Sequence, residues 1–281
     1  MIRTETVDLY ELYPQKERGV GGQLAVYALE PISKVDPNRK FPAVLILPGG
    51  AYQWVSPREA EPVAMRFLCR GFSCFILNYS CAPSRFPLAL REAALAMRYI
   101  RSHADEFAID GDKVAALGFS AGGHLCGTLG TLFDAPEVAD IAAAAMIQPN
   151  ALVLCYPVSV AQGRTHMESF ISLCGDDQAL MDRLSLDRLV RRDMPPVFLW
   201  HTRTDGTVPV DGTMRLAVAL AEKDVPFSLH VFADGRHGLA TADDLVYRRD
   251  DLPSVSDGVP DWPELAIRFL WEHGFHIRDG E

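Results

Sequence analysis

Positive charge is scarce in this 281-residue sequence: 27 Lys and Arg stand against 37 Asp and Glu, a formal net charge of −10. That balance argues against nucleic acid or an anionic membrane as a partner, because both are bound through positive patches, and neither is expected. Long apolar runs are missing too, and none nears the roughly 20 residues that a spanning helix needs. The six cysteines, Cys69, Cys74, Cys81, Cys126, Cys155 and Cys174, show no CxxC or other metal-ligand spacing. Most lie in apolar patterns, so they read as buried thiols of a reducing compartment, and no metal or organic cofactor is expected. The opening Met1-Ile-Arg-Thr-Glu-Thr6 lacks the charged-then-apolar layout of a secretory signal, which makes the cytoplasm the expected location. Repeats, low-complexity tracts and linker-like shifts are also absent, so one domain over residues 1–281 is expected.

What the chain does hold is an alternation of strand and helix signals, with 48% of its residues hydrophobic. Thr6 to Leu9 and Gln23 to Leu29 read as an antiparallel edge hairpin. Val44 to Leu47 is an unbroken aliphatic run, as interior parallel strands are. Pro57 to Arg70 reads as a helix with a Ser56 cap, in which Glu59 and Glu61 favour the dipole. Phe72 to Tyr79 follows as a strand, and Phe86 to Phe107 as a crossover helix. Val114 to Leu117 is another buried strand, and Ala142 to Met146 with Ala151 to Tyr156 reach a further one. Val197 to His201 and Phe227 to Phe232 continue the sheet, with helices at Gly212 to Lys223 and Trp262 to His273. The expected architecture is α/β, a doubly wound, mostly parallel sheet flanked by helices. Pro157 to Met194 is the least regular stretch, with a short helix near Ser185 to Arg191, and reads as a cap or lid excursion over one sheet edge.

Gly118-Phe-Ser120-Ala-Gly122 falls where the Val114 strand gives way to a helix. The pattern fits a nucleophile elbow, where small residues flank a sharply turned serine and the next N–H, that of Ala121, points at a developing oxyanion. A serine hydroxyl needs a base, and the base needs an orienting acid. His237 stands in a glycine-bounded loop just past the last strand, at the end of the sheet that the elbow also faces. His201 and His230 lie within strands, and His103, His273 and His276 near helix ends or the terminus. His124, one turn beyond Ser120, is the competitor worth a test. Asp205 follows the Val197 strand, with Asp211 and Asp234 as alternatives. Pro48-Gly49-Gly50-Ala51-Tyr52 ends the first parallel strand, where glycine permits backbone that leaves N–H groups unpaired.

Taken together, Pro48 to Tyr52, Gly118 to His124, Asp205-Gly-Thr-Val-Pro209 and Gly235-Arg-His-Gly238 resemble the α/β-hydrolase superfamily. Within it the chain is similar to the bacterial esterase and lipase-like branch that includes acetyl xylan esterases and related carbohydrate esterases. The resemblance spans nearly the whole chain and implies a carboxylester hydrolase with Ser120 as nucleophile, His237 as base and Asp205 as orienting acid. It also implies oxyanion donors at Ala121 and in the Gly50-Ala51 turn. The sequence departs from the HGGG form of that turn, with Pro48 in place of the leading His and Ala51 where a third glycine would stand. Tyr52, Gln53 and Trp54 are candidate substrate walls, which Trp200 and Trp262 could join. The expected substrate is a small-molecule or oligosaccharide ester with a short acyl group, acetyl above all. An arylformamidase or peptidase-like amide hydrolase on the same triad is the alternative, and a non-catalytic binding module the third reading. The oligomeric state is not legible.

Overall fold

The computed structural model describes residues 1–15 and 17–280. Eight strands form one sheet: β1 (Ile2–Asp8), β2 (Gln23–Leu29), β3 (Phe41–Leu47), β4 (Ser73–Asn78), β5 (Ile109–Phe119), β6 (Ala151–Cys155), β7 (Val197–Thr202) and β8 (Phe227–Phe232). Their order is β1-β2-β4-β3-β5-β6-β7-β8. β1 pairs antiparallel with β2 and β2 with β4, while every other pairing is parallel. The expected doubly wound, mostly parallel sheet is thus present, with the antiparallel hairpin at one edge.

Alternation along the central strands builds the two cores. Ala43, Leu45 and Leu47 of β3, Val114 and Ala116 of β5, and Leu152 and Leu154 of β6 face one side. Val44 and Ile46, Ala115 and Leu117, and Val153 and Cys155 face the other. All seven residues of β3 are buried, as a strand covered on both faces requires.

Ten α-helices are described: α1 (Leu9–Leu12), α2 (Glu61–Leu68), α3 (Leu88–Ser102), α4 (Ser120–Thr131), α5 (Ala144–Ile147), α6 (Met167–Cys174), α7 (Gln178–Arg183), α8 (Leu186–Leu189), α9 (Asp211–Glu222) and α10 (Trp262–Glu272). Leu90 of α3, Leu125 and Leu129 of α4, and Leu216 and Leu220 of α9 pack into the first core. Phe67 of α2 and Ile267 and Leu270 of α10 pack into the second. Among the described residues no helix is long and apolar enough to cross a membrane. Five cysteines are buried and Cys69 is exposed, all as free thiols.

Two stretches differ in element type from the sequence reading. The helix expected over Pro57 to Arg70 is broken at Ala60 (φ −105°, ψ −109°), between a single 3-10 turn at Pro57–Glu59 and α2. Pro62 explains the break: in a continuous helix its ring would clash with the Arg58 carbonyl, so the helix restarts with proline in its first turn. The strand expected at Ala142 to Met146 is instead the single turn α5 and its flanks. Alanine favours helix, and the Arg101 guanidinium takes the carbonyls of Ala145 and Gln148 at 3.0 and 2.8 Å. Residues 157–194 carry α6, α7 and α8, with Phe170, Leu173, Leu184 and Leu186 buried in the first core. The Leu186 N–H donates to the Ser159 carbonyl at 2.7 Å.

Candidate active site

Ser120, the first residue of α4 directly after β5, lies in the left-handed region at φ 51°. The chain can make that turn because both flanking glycines lack a Cβ. One on Gly118 would lie 2.1 Å from the Gly122 carbonyl oxygen, and one on Gly122 would lie 2.1 Å from that of Leu47. The turn leaves the serine hydroxyl 2.8 Å from His237 Nε2. On the other side of the ring, His237 Nδ1 is 2.6 Å from Asp205 Oδ2. A carboxylate can only accept, so Nδ1 carries the proton and Nε2 has a lone pair for the Ser120 hydroxyl. The three side chains come from the ends of β5, β7 and β8.

Asp205 is nearly saturated with donors. Its Oδ1 accepts the N–H groups of Thr207 and Val208, both at 2.9 Å. Its Oδ2 also lies 3.3 Å from His201 Nε2. That nitrogen faces the Val208 carbonyl at 2.9 Å as well, so it is the protonated one. Burial pushes the Asp205 carboxyl up, but the bonds from His201 and His237 outweigh it and hold the group well below the usual carboxylate range. The alternative acids go elsewhere: Asp234 pairs with Arg203 at 3.1 Å and Asp211 with Arg164 at 3.4 Å.

The turn after β3 meets Ser120 from the opposite direction. Gly50 (φ 129°), Ala51 (φ 57°) and Tyr52 (φ 56°) all have positive φ. Gly50 and Ala51 line the same cavity as Ser120. Their N–H groups find no acceptor among the described residues, nor does that of Ala121 in the first turn of α4. Gly50 cannot be larger, since a Cβ would lie 2.0 Å from the Trp54 carbonyl oxygen.

Glu59, expected from its place early in a helix only to favour the dipole, instead braces this turn. It is only 3% exposed. Its Oε2 accepts the Gly49 N–H at 2.8 Å, and its Oε1 accepts the Tyr156 hydroxyl at 2.6 Å. Tyr156 Oη in turn accepts the Ala240 N–H at 2.9 Å, three residues past His237, and its ring meets the imidazole edge-on at 5.0 Å. Burial raises the Glu59 carboxyl above its ordinary value, opposed by the bonds from Tyr156 and Gly49. One carboxylate therefore links the β3 turn to the histidine loop. Tyr156 (φ 36°) and Ala240 (φ 51°) are also left-handed.

The cavity above Ser120 holds about 170 Å³ and is walled by Trp54, Arg58, His166, Thr207 and Gly238. Trp54, 52% exposed, is where the substrate-wall expectation put it. Tyr52 is not. Its ring is buried against Tyr79 and its hydroxyl lies 2.8 Å from His124 Nδ1, because the left-handed turn swings it into the core. Gln53 reaches away, to the Ser172 hydroxyl at 3.3 Å. Trp200 and Trp262 are fully buried and stacked on each other, with centroids 5.4 Å apart and planes 20° apart. Trp262 Nε1 donates to the Ala240 carbonyl at 2.8 Å.

His124 is buried without reaching the serine. Its Nε2 faces the Leu184 carbonyl at 2.8 Å and so carries the proton, leaving Nδ1 to accept from Tyr52. Burial lowers its pKa to about 4, so it is neutral near pH 7. Sequence reasoning missed Glu59, Tyr156, Arg58 and His166. Pro62 signals the broken helix that frees Glu59, and Tyr156 follows a strand just as Asp205 and His237 do. His166, held by a 2.9 Å contact between Nδ1 and the Ser169 hydroxyl, lies in a loop with no pattern to betray it.

The BD-FAE family model matches residues 32–220. The chain is 38% identical over 217 residues to endo-1,4-beta-xylanase B of Butyrivibrio fibrisolvens, covering 73% of this chain and 33% of that one. It is 26% identical over 237 residues to the acetylxylan esterase of Xylanibacter ruminicola, covering 80% of this chain and 47% of the relative. The chain thus spans a third to about half the length of these relatives. The crystal structure of an acetyl ester-xyloside bifunctional hydrolase from Caldicellulosiruptor lactoaceticus superposes with a TM-score of 0.82 at 33% identity, over 97% of both chains. The chain belongs to the BD-FAE family, has the α/β-hydrolase fold, and is related to acetyl xylan esterases and bacterial carboxylesterases.

Proposed function

We propose that this BD-FAE family chain is a serine carboxylic ester hydrolase that removes short acyl groups, above all acetyl, from a sugar or oligosaccharide. The observation that carries the reading is the unbroken contact from Asp205 through His237 to Ser120, at 2.6 and 2.8 Å. A site of about 170 Å³ suits a small acyl group, and the exposed Trp54 at its rim suits a sugar face. The similarity to an acetylxylan esterase and to an acetyl ester-xyloside hydrolase supports the same substrate class.

In this reading Ser120 Oγ attacks the ester carbonyl carbon while His237 Nε2 takes its proton, and Asp205 steadies the imidazolium. The carbonyl oxygen becomes an oxyanion that accepts from the Ala121 N–H and from the Gly50-Ala51 turn. Collapse breaks the bond to the leaving alcohol, which receives the proton from His237. A water molecule then gives its proton to His237 and attacks the acyl-serine. The second collapse releases the carboxylic acid and restores the Ser120 hydroxyl.

The test is acetate release from acetylated xylo-oligosaccharides and from a panel of aryl esters of rising acyl length. Wild-type rates are expected to fall as the acyl chain grows, and Ser120→Ala to lose about four orders of magnitude or more. Equal turnover by that variant would end the proposal.

A further inference from the structure

Beside His237, two guanidinium groups share one tyrosine ring. Arg58 lies 5.2 Å and Arg236 4.9 Å from the centroid of Tyr247, whose hydroxyl donates to the Gly238 carbonyl at 2.7 Å. Gly238 and Arg58 both line the cavity over Ser120, and a Cβ on Gly238 would stand 3.5 Å from Arg58 Nη2. The trio therefore sits at the edge of the cavity on the side of the histidine. That side has a chemical meaning in an ester hydrolase, because the base that protonates the leaving oxygen must have the alcohol portion of the substrate next to it.

Many of the other arginines are matched with acids, as Arg91 is with Asp140, Arg191 with Asp134 and Asp193, and Arg203 with Asp234, while Arg85, Arg98 and Arg101 spend their N–H groups on carbonyls. Arg58 and Arg236 have neither an ion pair nor a hydrogen bond to an acidic side chain among the described residues. Glu59, next to Arg58 in sequence, is buried with both oxygens already bonded to Gly49 and Tyr156. Two cations without an ion pair thus stand at the mouth of the catalytic cavity, and the Glu59 carboxyl is the acidic group whose charge Arg58 favours. The Tyr247 ring attracts each cation through its π-face. A guanidinium so held still offers N–H groups, whose fork matches a carboxylate.

We propose that Arg58, Tyr247 and Arg236 form a subsite for a carboxylate carried by the alcohol portion of the substrate. The preferred ester is then an acylated acidic sugar, such as an oligosaccharide with a uronic acid substituent. The assignment rests on the ester-hydrolase reading above. Trp54 supplies a half-exposed aromatic face on the same cavity for the sugar ring.

The test compares two acetylated xylo-oligosaccharides that differ only in a glucuronic acid substituent. The ratio of kcat/KM, acidic over neutral, is expected to exceed one in the wild type and to shrink at high salt. It is expected to fall about fivefold in Arg236→Gln and further in the Arg58→Gln/Arg236→Gln double variant. A ratio unchanged in the double variant overturns the subsite. A second arm titrates the deacetylated acidic oligosaccharide into the Ser120→Ala protein. Binding is expected to weaken by the same factor when Arg236→Gln is added, and equal affinity would also overturn the subsite. If arginine-dependent binding of the acid were found in a wild-type protein that cleaves neither ester, the subsite would be supported and the ester-hydrolase reading would be the one to fall.

Discussion

The Glu59 carboxylate holds the Gly49 amide at 2.8 Å, one residue before the backbone that lines the cavity over Ser120. Both of its oxygens act as acceptors, one for Gly49 and one for Tyr156. A glutamine offers one acceptor and one donor, so Glu59→Gln sets an NH₂ group against either an N–H or an O–H. We expect kcat to fall about tenfold to a hundredfold, less than the loss of an oxyanion donor itself, with KM little changed. Steady-state kinetics beside a melting curve check this. A rise in KM with kcat intact would show Glu59 to be a substrate contact instead.

Asp205 is kept ionised by donors from His201, His237, Thr207 and Val208. Its carboxyl lies well below the ordinary range, so the acid limb of the pH–rate profile is not expected to come from its protonation. Asp205→Asn removes the charge and sets an amide against two histidine N–H groups. We expect kcat to fall by about four orders of magnitude, as when a triad histidine is left in the wrong tautomer. Nuclear magnetic resonance of the imidazole protons in the variant checks the tautomer directly.

Ser120 holds a left-handed backbone at φ 51°, which costs an L-residue about 1 kcal/mol relative to glycine. Two inactive variants separate that strain from the chemistry. Ser120→Gly is expected to be more stable than Ser120→Ala by about 1 kcal/mol in urea unfolding. Equal stability would mean that the elbow relaxes once the hydroxyl is gone.

His124 is buried neutral, with a pKa lowered from 6.5 to about 4. The unfolded chain takes up this proton near 6.5 and the folded chain only near 4, so between those values the unfolded state binds more protons. The stability associated with the neutral ring is complete above pH 6.5 and is lost as the pH falls toward 4. By pH 4.5 the loss from this group is about 2–3 kcal/mol. Gln can replace both contacts, donating to the Leu184 carbonyl and accepting from Tyr52. Urea unfolding of His124→Gln is therefore expected to show a flatter decline between pH 6.5 and 4.5 than the wild type.

The sheet was legible because its central strands are unbroken aliphatic runs, and Ser120, Asp205 and His237 because each stands in a turn or loop just after a strand signal. What the pattern misread was governed by contacts distant in sequence. Tyr52 looked like a wall residue from its place beside the Gly50 turn, yet backbone with φ 56° points it into the core to meet His124. Trp200 and Trp262 offered aromatic faces on paper and are buried against each other. Glu59 was hidden by helix-like spacing. Its partners, Gly49 and Tyr156, lie ten and 97 residues away, and only the proline at position 62 marks the place where the helix must yield.

The stacked Trp200 and Trp262 make the protein its own optical probe. Two indoles 5.4 Å apart with planes 20° apart should couple through their intense far-ultraviolet transitions and give a paired band of opposite signs in far-ultraviolet circular dichroism. Because one of them is tied to the Ala240 carbonyl, that signal reports on the loop carrying His237. Ligand entry, loop opening and the first stages of melting can then be followed spectroscopically, without a label and without a substrate.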